Sequence, residues 1–173
     1  QYTNTRLYSE RGWCYFELCI SSLTKYNKCL LDFSKFDERG VDDFNTMCSR
    51  MLAKRPPPMS PEDFAMEMRK GIASGRLAFT AKADAEFVIG QYHKGFIEAY
   101  EGHTRVQRNG VYIHMNDLGW GPDEGHTLAR AIAYVEEHCS PPETLKLNLD
   151  DNLFGSDAHN AILRAARKHV KIF

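Results

Sequence analysis

Thiol and imidazole groups are the first candidates for chemistry, and their spacing argues against most of it. Cys14, Cys19, Cys29, Cys48 and Cys139 form an odd set without a CxxC pair, so neither a disulfide framework nor a zinc finger is expected. Cys14 and Cys19 lie five apart, which turns the two thiols to different sides of a helix. As small buried apolar side chains, the cysteines fit a reducing, intracellular compartment. The seven histidines form no HxH or HExxH pair. His126, His138 and Cys139 are near one another in sequence without a known ligand spacing, and no metal is expected. GxGxxG, P-loop, GxSxG and kinase-type patterns are absent, so those routes to nucleotide binding or acyl transfer have no support, and no cofactor is expected from them. Gly119-Trp120-Gly121 lacks a third glycine and reads as a turn.

The bulk properties narrow the classes further. The chain has 173 residues, 22 Lys+Arg against 23 Asp+Glu, a formal charge of −1 and 43% hydrophobic residues. That length supports one domain, or two small pieces, with a real core. A balanced charge leaves no basic face to hold nucleic acid or anionic lipid. A mean hydropathy of −0.47 and the lack of any apolar run near the roughly 20 residues of a membrane helix indicate a soluble globular fold without a transmembrane segment. The chain begins at Gln1 without a signal-peptide pattern, and Val170 to Phe173 read as the start of another element, so a segment of a longer chain is expected.

The elements that must position any site follow from apolar spacing. Over residues 11 to 25, Trp13, Phe16, Ile20 and Leu23 place one apolar face on a helix, with Glu17 beside the stripe. Cys29, Leu30, Leu31 and Phe33 then form a short apolar run, expected as a strand buried on both faces. Residues 42 to 52 suggest a helix with Phe44, Met47, Cys48 and Met51 inward. Arg55-Pro56-Pro57-Pro58 cannot continue a helix and is expected as extended polyproline II, most simply a linker. Ser60-Pro61-Glu62-Asp63 is a helix start: a hydroxyl to cap N–H groups, a proline suited to the first turn, and two acids at the positive end of the dipole. Phe64, Met68 and Ile72 continue its inner face, and Gly71 and Gly75 close it. Thr80 is the expected cap of a longer helix through about Tyr100, with Val88, Tyr92, Phe96 and Ala99 inward and Gly102 as its stop.

The C-terminal part repeats itself. Residues 113 to 134 and 147 to 168 align at an offset of 34: Ile113 with Leu147, Met115 with Leu149, Trp120 with Phe154 and Leu128 with Ile162. Asp117/Asp151, Gly121/Gly155, Asp123/Asp157, Arg130/Arg164 and Ala131/Ala165 are identical. Each unit reads as a short strand, a polar turn, an aromatic plug, a glycine and an amphipathic helix. One such unit cannot bury its own apolar face, so the units must stack, and a further unit or a partner is expected to cover the last of them.

Two resemblances attach to these patterns. Leu145, Leu147, Leu149 and Asn152 resemble the LxxLxLxxN core of helix-containing leucine-rich repeats, which implies inward leucines on parallel strands and an Asn side chain bonded to backbone groups of the turn; the first unit carries Leu118 at the Asn place. The segment from Tyr8 to Leu18, with Arg11-Gly12-Trp13-Cys14 and Glu17, resembles the YxxSxWCxxEL element of Toll/interleukin-receptor (TIR) domains. That likeness implies a doubly wound, flavodoxin-like sheet and, in the NAD-cleaving members, a catalytic carboxylate at Glu17. The order of the two, with a Pro-rich stretch between, is similar to multidomain proteins of unicellular algae and other protists.

The expected architecture is therefore α/β in three parts: a TIR-like fragment over 1–54, a Pro-rich linker with connector helices over 55–104, and two leucine-rich-repeat-like units with the start of a third over 105–173. The expected role is a protein-binding or scaffold module whose partner is another protein. Its solvent-facing strand positions are Tyr112, His114 and Asn116 on one strand and Lys146, Asn148 and Asp150 on the next, polar or amphipathic groups suited to recognition. Two alternatives stand beside it. One is a NAD glycohydrolase that uses Glu17 and needs residues upstream of Gln1. The other is an accessory subunit of a larger assembly, which would leave Val170, Ile172 and Phe173 exposed together in the isolated chain.

Overall fold

A computed structural model describes residues 6–25, 30–37, 39, 43–81, 83–102 and 111–173. Expectations that fall on Cys29 or on residues 103–110 lie outside the described residues. The described elements run α1 Gly12–Ser21, α2 Phe44–Arg50, α3 Pro61–Ala73, α4 Asp84–Glu101, β1 Val111–His114, α5 Pro122–His138, β2 Leu145–Asn148, α6 Gly155–Ala165 and β3 Val170–Ile172. The fold is mixed α/β, with a three-stranded sheet in the order β1-β2-β3.

The sheet is parallel throughout, and its register reproduces the sequence offset of 34: Val111 pairs with Leu145, Tyr112 with Lys146, Ile113 with Leu147 and His114 with Asn148. Leu145, Lys146 and Leu147 pair in turn with Val170, Lys171 and Ile172. Alternation sends Val111, Ile113, Met115, Leu145, Leu147, Leu149 and Val170 into the core, where α5 and α6 cover them. The helices approach closely because Gly125 has no side chain. A Cβ there would stand 2.7 Å from the Phe154 ring and 2.9 Å from the Ala158 methyl.

Both turns after the strands use the same backbone device. Asp117 and Asp151 have φ of 55° and 57°, the left-handed region that Asp tolerates better than most residues. Between the turns sits Asn152. Its Oδ1 accepts from the N–H of Leu118 and of Trp120, both at 3.2 Å, and its Nδ2 donates to the carbonyls of Met115 at 2.7 Å and Leu149 at 2.9 Å. One amide side chain thus satisfies four backbone groups on two successive turns. Glu136 on α5 does comparable work for the approach to β3, where its carboxylate accepts from the N–H groups of Arg167, Lys168, His169 and Val170. Burial opposes its charge, but those donors outweigh burial and leave its pKa below the ordinary glutamate value.

The helical half holds several corrections to the sequence reading. α1 ends at Ser21, and Trp13 is 39% exposed instead of core; its ring meets Phe16, Phe79 and Phe87 at the edge of the helices, and its indole N–H donates to Asp84 Oδ2 at 3.0 Å. The buried strand expected around Leu30 to Phe33 does not form. Leu31 makes one antiparallel bridge with Leu52, and Phe33, 77% exposed, enters a single 3₁₀ turn over Phe33–Lys35. The backbone bonds around that bridge, Asp32 N–H to Met51 O at 2.7 Å and Ala53 N–H to Leu30 O at 3.0 Å, do not extend into a ladder, so apolar content alone does not make a strand. Among the described residues of 6–54 no ladder of a doubly wound sheet is present, only this bridge and one between Arg11 and Ala78. In α2, Asp43 caps the N–H of Thr46, Met51 is buried just past the end, and Phe44 is 71% exposed, contrary to its expected inward place.

Ser60 caps α3 as expected, accepting from Asp63 N–H at 3.1 Å. Gly75, with φ of 74°, closes the helix, whereas Gly71 lies within it, buried against Leu77. That contact, not Ile72, forms the last inner turn; Ile72 points outward. α4 starts at Asp84 rather than at a Thr80 cap, and its inner stripe is Val88, Tyr92, Phe96 and Tyr100, with Ala99 only half-buried.

The proline stretch is not a free linker. The Arg55 side chain is fully buried, its guanidinium donates to the carbonyls of Ser22 and Lys25, and its own carbonyl accepts from the Trp120 indole at 2.7 Å. One buried cluster consequently runs from Cys19 and Leu23 through Phe64, Tyr92 and Phe96 to Trp120, Ile162 and Val170. Val170 is buried rather than exposed, which removes part of the apolar end expected for an accessory subunit.

Candidate functional site

The outward face of the sheet collects all six polar positions named from the sequence. Parallel register places Tyr112 beside Lys146 and His114 beside Asn148. The same pairing persists past the strand ends, where Met115 N–H donates to Asn148 O at 2.9 Å and Asp117 N–H to Asp150 O at 3.0 Å, bringing Asn116 alongside Asp150. Tyr112 is 37% exposed, His114 and Asp150 are exposed, and Asn116, Lys146 and Asn148 are half-buried. Their strand neighbours on the other face are buried, so the face is polar because alternation leaves it outside.

Two residues that the sequence reading left out extend this face. Lys171 pairs with Lys146 on the third strand, and the Phe173 ring meets Tyr112 edge to face at 5.5 Å between centroids. The signal was present: Leu145-Lys146-Leu147 and Val170-Lys171-Ile172 share one apolar-Lys-apolar pattern. Local contacts order the face. Lys146 Nζ donates to the Tyr112 hydroxyl at 3.1 Å and lies 4.8 Å from the centre of its ring. Asn148 Oδ1 accepts the N–H of Asp150 at 2.9 Å, fixing the amide.

Glu17 stands elsewhere, exposed on α1. Its Oε2 accepts the Tyr8 hydroxyl at 3.0 Å, and that bond, with burial and the carboxylate charge, pushes the Tyr8 phenol up to about 12. The Arg11 guanidinium donates to the Arg6 carbonyl at 3.0 and 3.2 Å. The chain has clefts of about 320 Å³ beside Met59, Asp63 and Arg130, about 490 Å³ beside Phe154, His159 and Phe173, and about 320 Å³ beside Arg6, Trp13 and Thr80. Glu17 lines none of these three.

Among the described residues no three His, Cys, Asp or Glu side chains are placed to share a metal ion. Cys14, Cys19, Cys48 and Cys139 are free thiols. Burial pushes the Cys19 thiol up to about 12 and the Cys139 thiol up to about 11, which suits packing and not nucleophilic chemistry. His126 instead meets Asp157 across the α5–α6 contact at 3.2 Å. None of the described helices is long and apolar enough to cross a membrane. No family model, no curated protein and no solved structure matches this chain.

Proposed function

We propose that the chain is a protein-binding module that presents the outward face of its parallel sheet to a partner protein. The observation that carries the reading is the strict division of the strands: alternate residues are buried under α5 and α6, and the others form an ordered polar and aromatic surface of Tyr112, His114, Lys146, Asn148, Lys171 and Phe173. A rigid surface of this kind, held by backbone ladders on one side and helices on the other, loses little freedom on binding. The 34-residue register and the Asn152 bonds across two turns support a kinship in design with helix-containing leucine-rich repeats. A reducing compartment suits the free cysteines.

Selection from a random peptide display library tests this reading. Binders should be recovered, and they should lose the chain when His114→Arg or Asn148→Arg blocks the sheet face but not when Arg164→Glu alters the exposed side of α6. Recovery of no binder, or of binders indifferent to both face substitutions, would refute it.

A further inference from the structure

We infer that the sheet face selects an acidic, extended segment of its partner, with carboxylates seated on the rung formed by Tyr112, Lys146 and Lys171. This inference rests on the protein-binding reading and adds the chemistry of the occupant.

The argument begins with donors and acceptors. An ammonium group carries three N–H donors and no acceptor. Because Lys146 donates to the Tyr112 oxygen, the phenol proton turns to another acceptor, and the two remaining N–H groups of Lys146 do the same. Lys171, paired with Lys146 and exposed, adds a second ammonium on the same rung. On the neighbouring rung, Asn148 has committed its oxygen to the Asp150 N–H, leaving the Nδ2 amine as its outward group. The face therefore presents donors along its length and positive charge near the strand starts, and the ligand that satisfies them brings acceptors and negative charge.

Geometry selects the shape. Adjacent strands set Lys146 and Lys171 about 4.8 Å apart along the hydrogen-bonding direction, and alternate residues of an extended peptide are about 6.6 Å apart on one side. Splayed lysine side chains span that difference, so carboxylates two residues apart reach both. The Phe173 ring, 52% exposed against Tyr112, offers an apolar contact to the next residue on the same side. Past the strand ends lie exposed acids, Asp150 and the turn residues Asp117 and Asp151, which sets the acidic segment at the strand starts.

The test is a fluorescence-anisotropy titration of the 173-residue chain with a labelled octapeptide carrying glutamate at its third and fifth positions and leucine at its seventh, with serine and glycine elsewhere. A second peptide has glutamine for both glutamates. The acidic peptide should bind about tenfold tighter at low salt, and the difference should shrink at about 0.5 M salt, where screening is nearly complete. Lys171→Glu, on an exposed side chain, should abolish the preference, and Lys146→Met should weaken it while keeping the aliphatic stem over Tyr112. Equal binding of the two peptides, lost from both with Asn148→Arg, would overturn the charge selection and leave the protein-binding reading in place. Binding of neither peptide would also overturn it, and the library selection then decides the broader reading by itself.

Discussion

Replacement of Asn152 is the sharpest perturbation of the stack. Its side chain serves the N–H groups of Leu118 and Trp120 and the carbonyls of Met115 and Leu149, at 2.7 to 3.2 Å. Asn152→Ala leaves these four groups to whatever water can reach a half-buried position. Taking a net loss of about 0.5 to 1 kcal/mol for each gives about 2 to 4 kcal/mol in all. For a chain of this size the melting temperature would fall by about 5 to 15 °C. Asn152→Asp is the discriminating companion: it keeps the acceptor for the two N–H groups but loses both donated bonds and sets a negative charge against two carbonyls, so it should be nearly as damaging despite its shape. Urea unfolding followed by far-ultraviolet circular dichroism supplies the free energies, with a constant slope showing that the denatured state is unchanged. Asn160→Ala, on the exposed surface of α6, is the control. A loss below about 0.5 kcal/mol for Asn152→Ala, within the ordinary scatter of surface substitutions, would refute the claim that this amide holds the turns.

Three further outcomes follow from the packing. Glu136 has a lowered pKa, so its stabilising bonds are fully present above the unfolded value near 4.5 and are lost as pH falls through the folded value. The stability gap between the wild-type chain and Glu136→Gln should be flat above about pH 5.5 and close at more acidic pH; a gap that widens on acidification would reverse the assignment. Gly125→Ala drives a methyl into Phe154 and Ala158 and should cost about 1 to 3 kcal/mol in the same urea assay, whereas Gly90→Ala, with open space around it, should not destabilise. In the folded chain at pH 8, thiol labelling followed by peptide mass mapping should leave Cys19 and Cys139 unmodified while Cys14 and Cys48 react, because burial holds the first pair protonated near 12 and 11.

The repeat was legible because it is written twice at one spacing: the 34-residue offset that aligns Ile113 with Leu147 is the register of the sheet. The six outward positions followed from alternation alone. Lys171 and Phe173 were passed over because the third strand follows the second after 25 residues, a different interval from the first. The strand expected near Leu31 shows the opposite limit. A run of apolar residues is a local property, whereas a strand needs a continuous neighbour, and among the described residues the pairing here is a single bridge to Leu52. Arg55 was equally opaque. Its neighbours Pro56 to Pro58 describe a stiff connector, but the carbonyls that its guanidinium meets lie 33 and 30 residues earlier, and no periodicity encodes such a meeting. Glu17 stands out by its sequence context, yet the group it meets is the Tyr8 phenol on the surface.

The bond between the Trp120 indole and the Arg55 carbonyl has a mechanical consequence. Three successive prolines fix the backbone torsion next to that carbonyl, so the stretch transmits force like a strut and cannot absorb it like a spring. The carbonyls that trail α1 grip the Arg55 side chain, while the Arg55 carbonyl holds Trp120 in the loop that launches α5. The indole shares this bridging with the Arg55 guanidinium, which grips the Ser22 carbonyl behind α1 and also donates to the His114 carbonyl of β1 at 3.5 Å, so the front segment and the sheet are tied at more than one point.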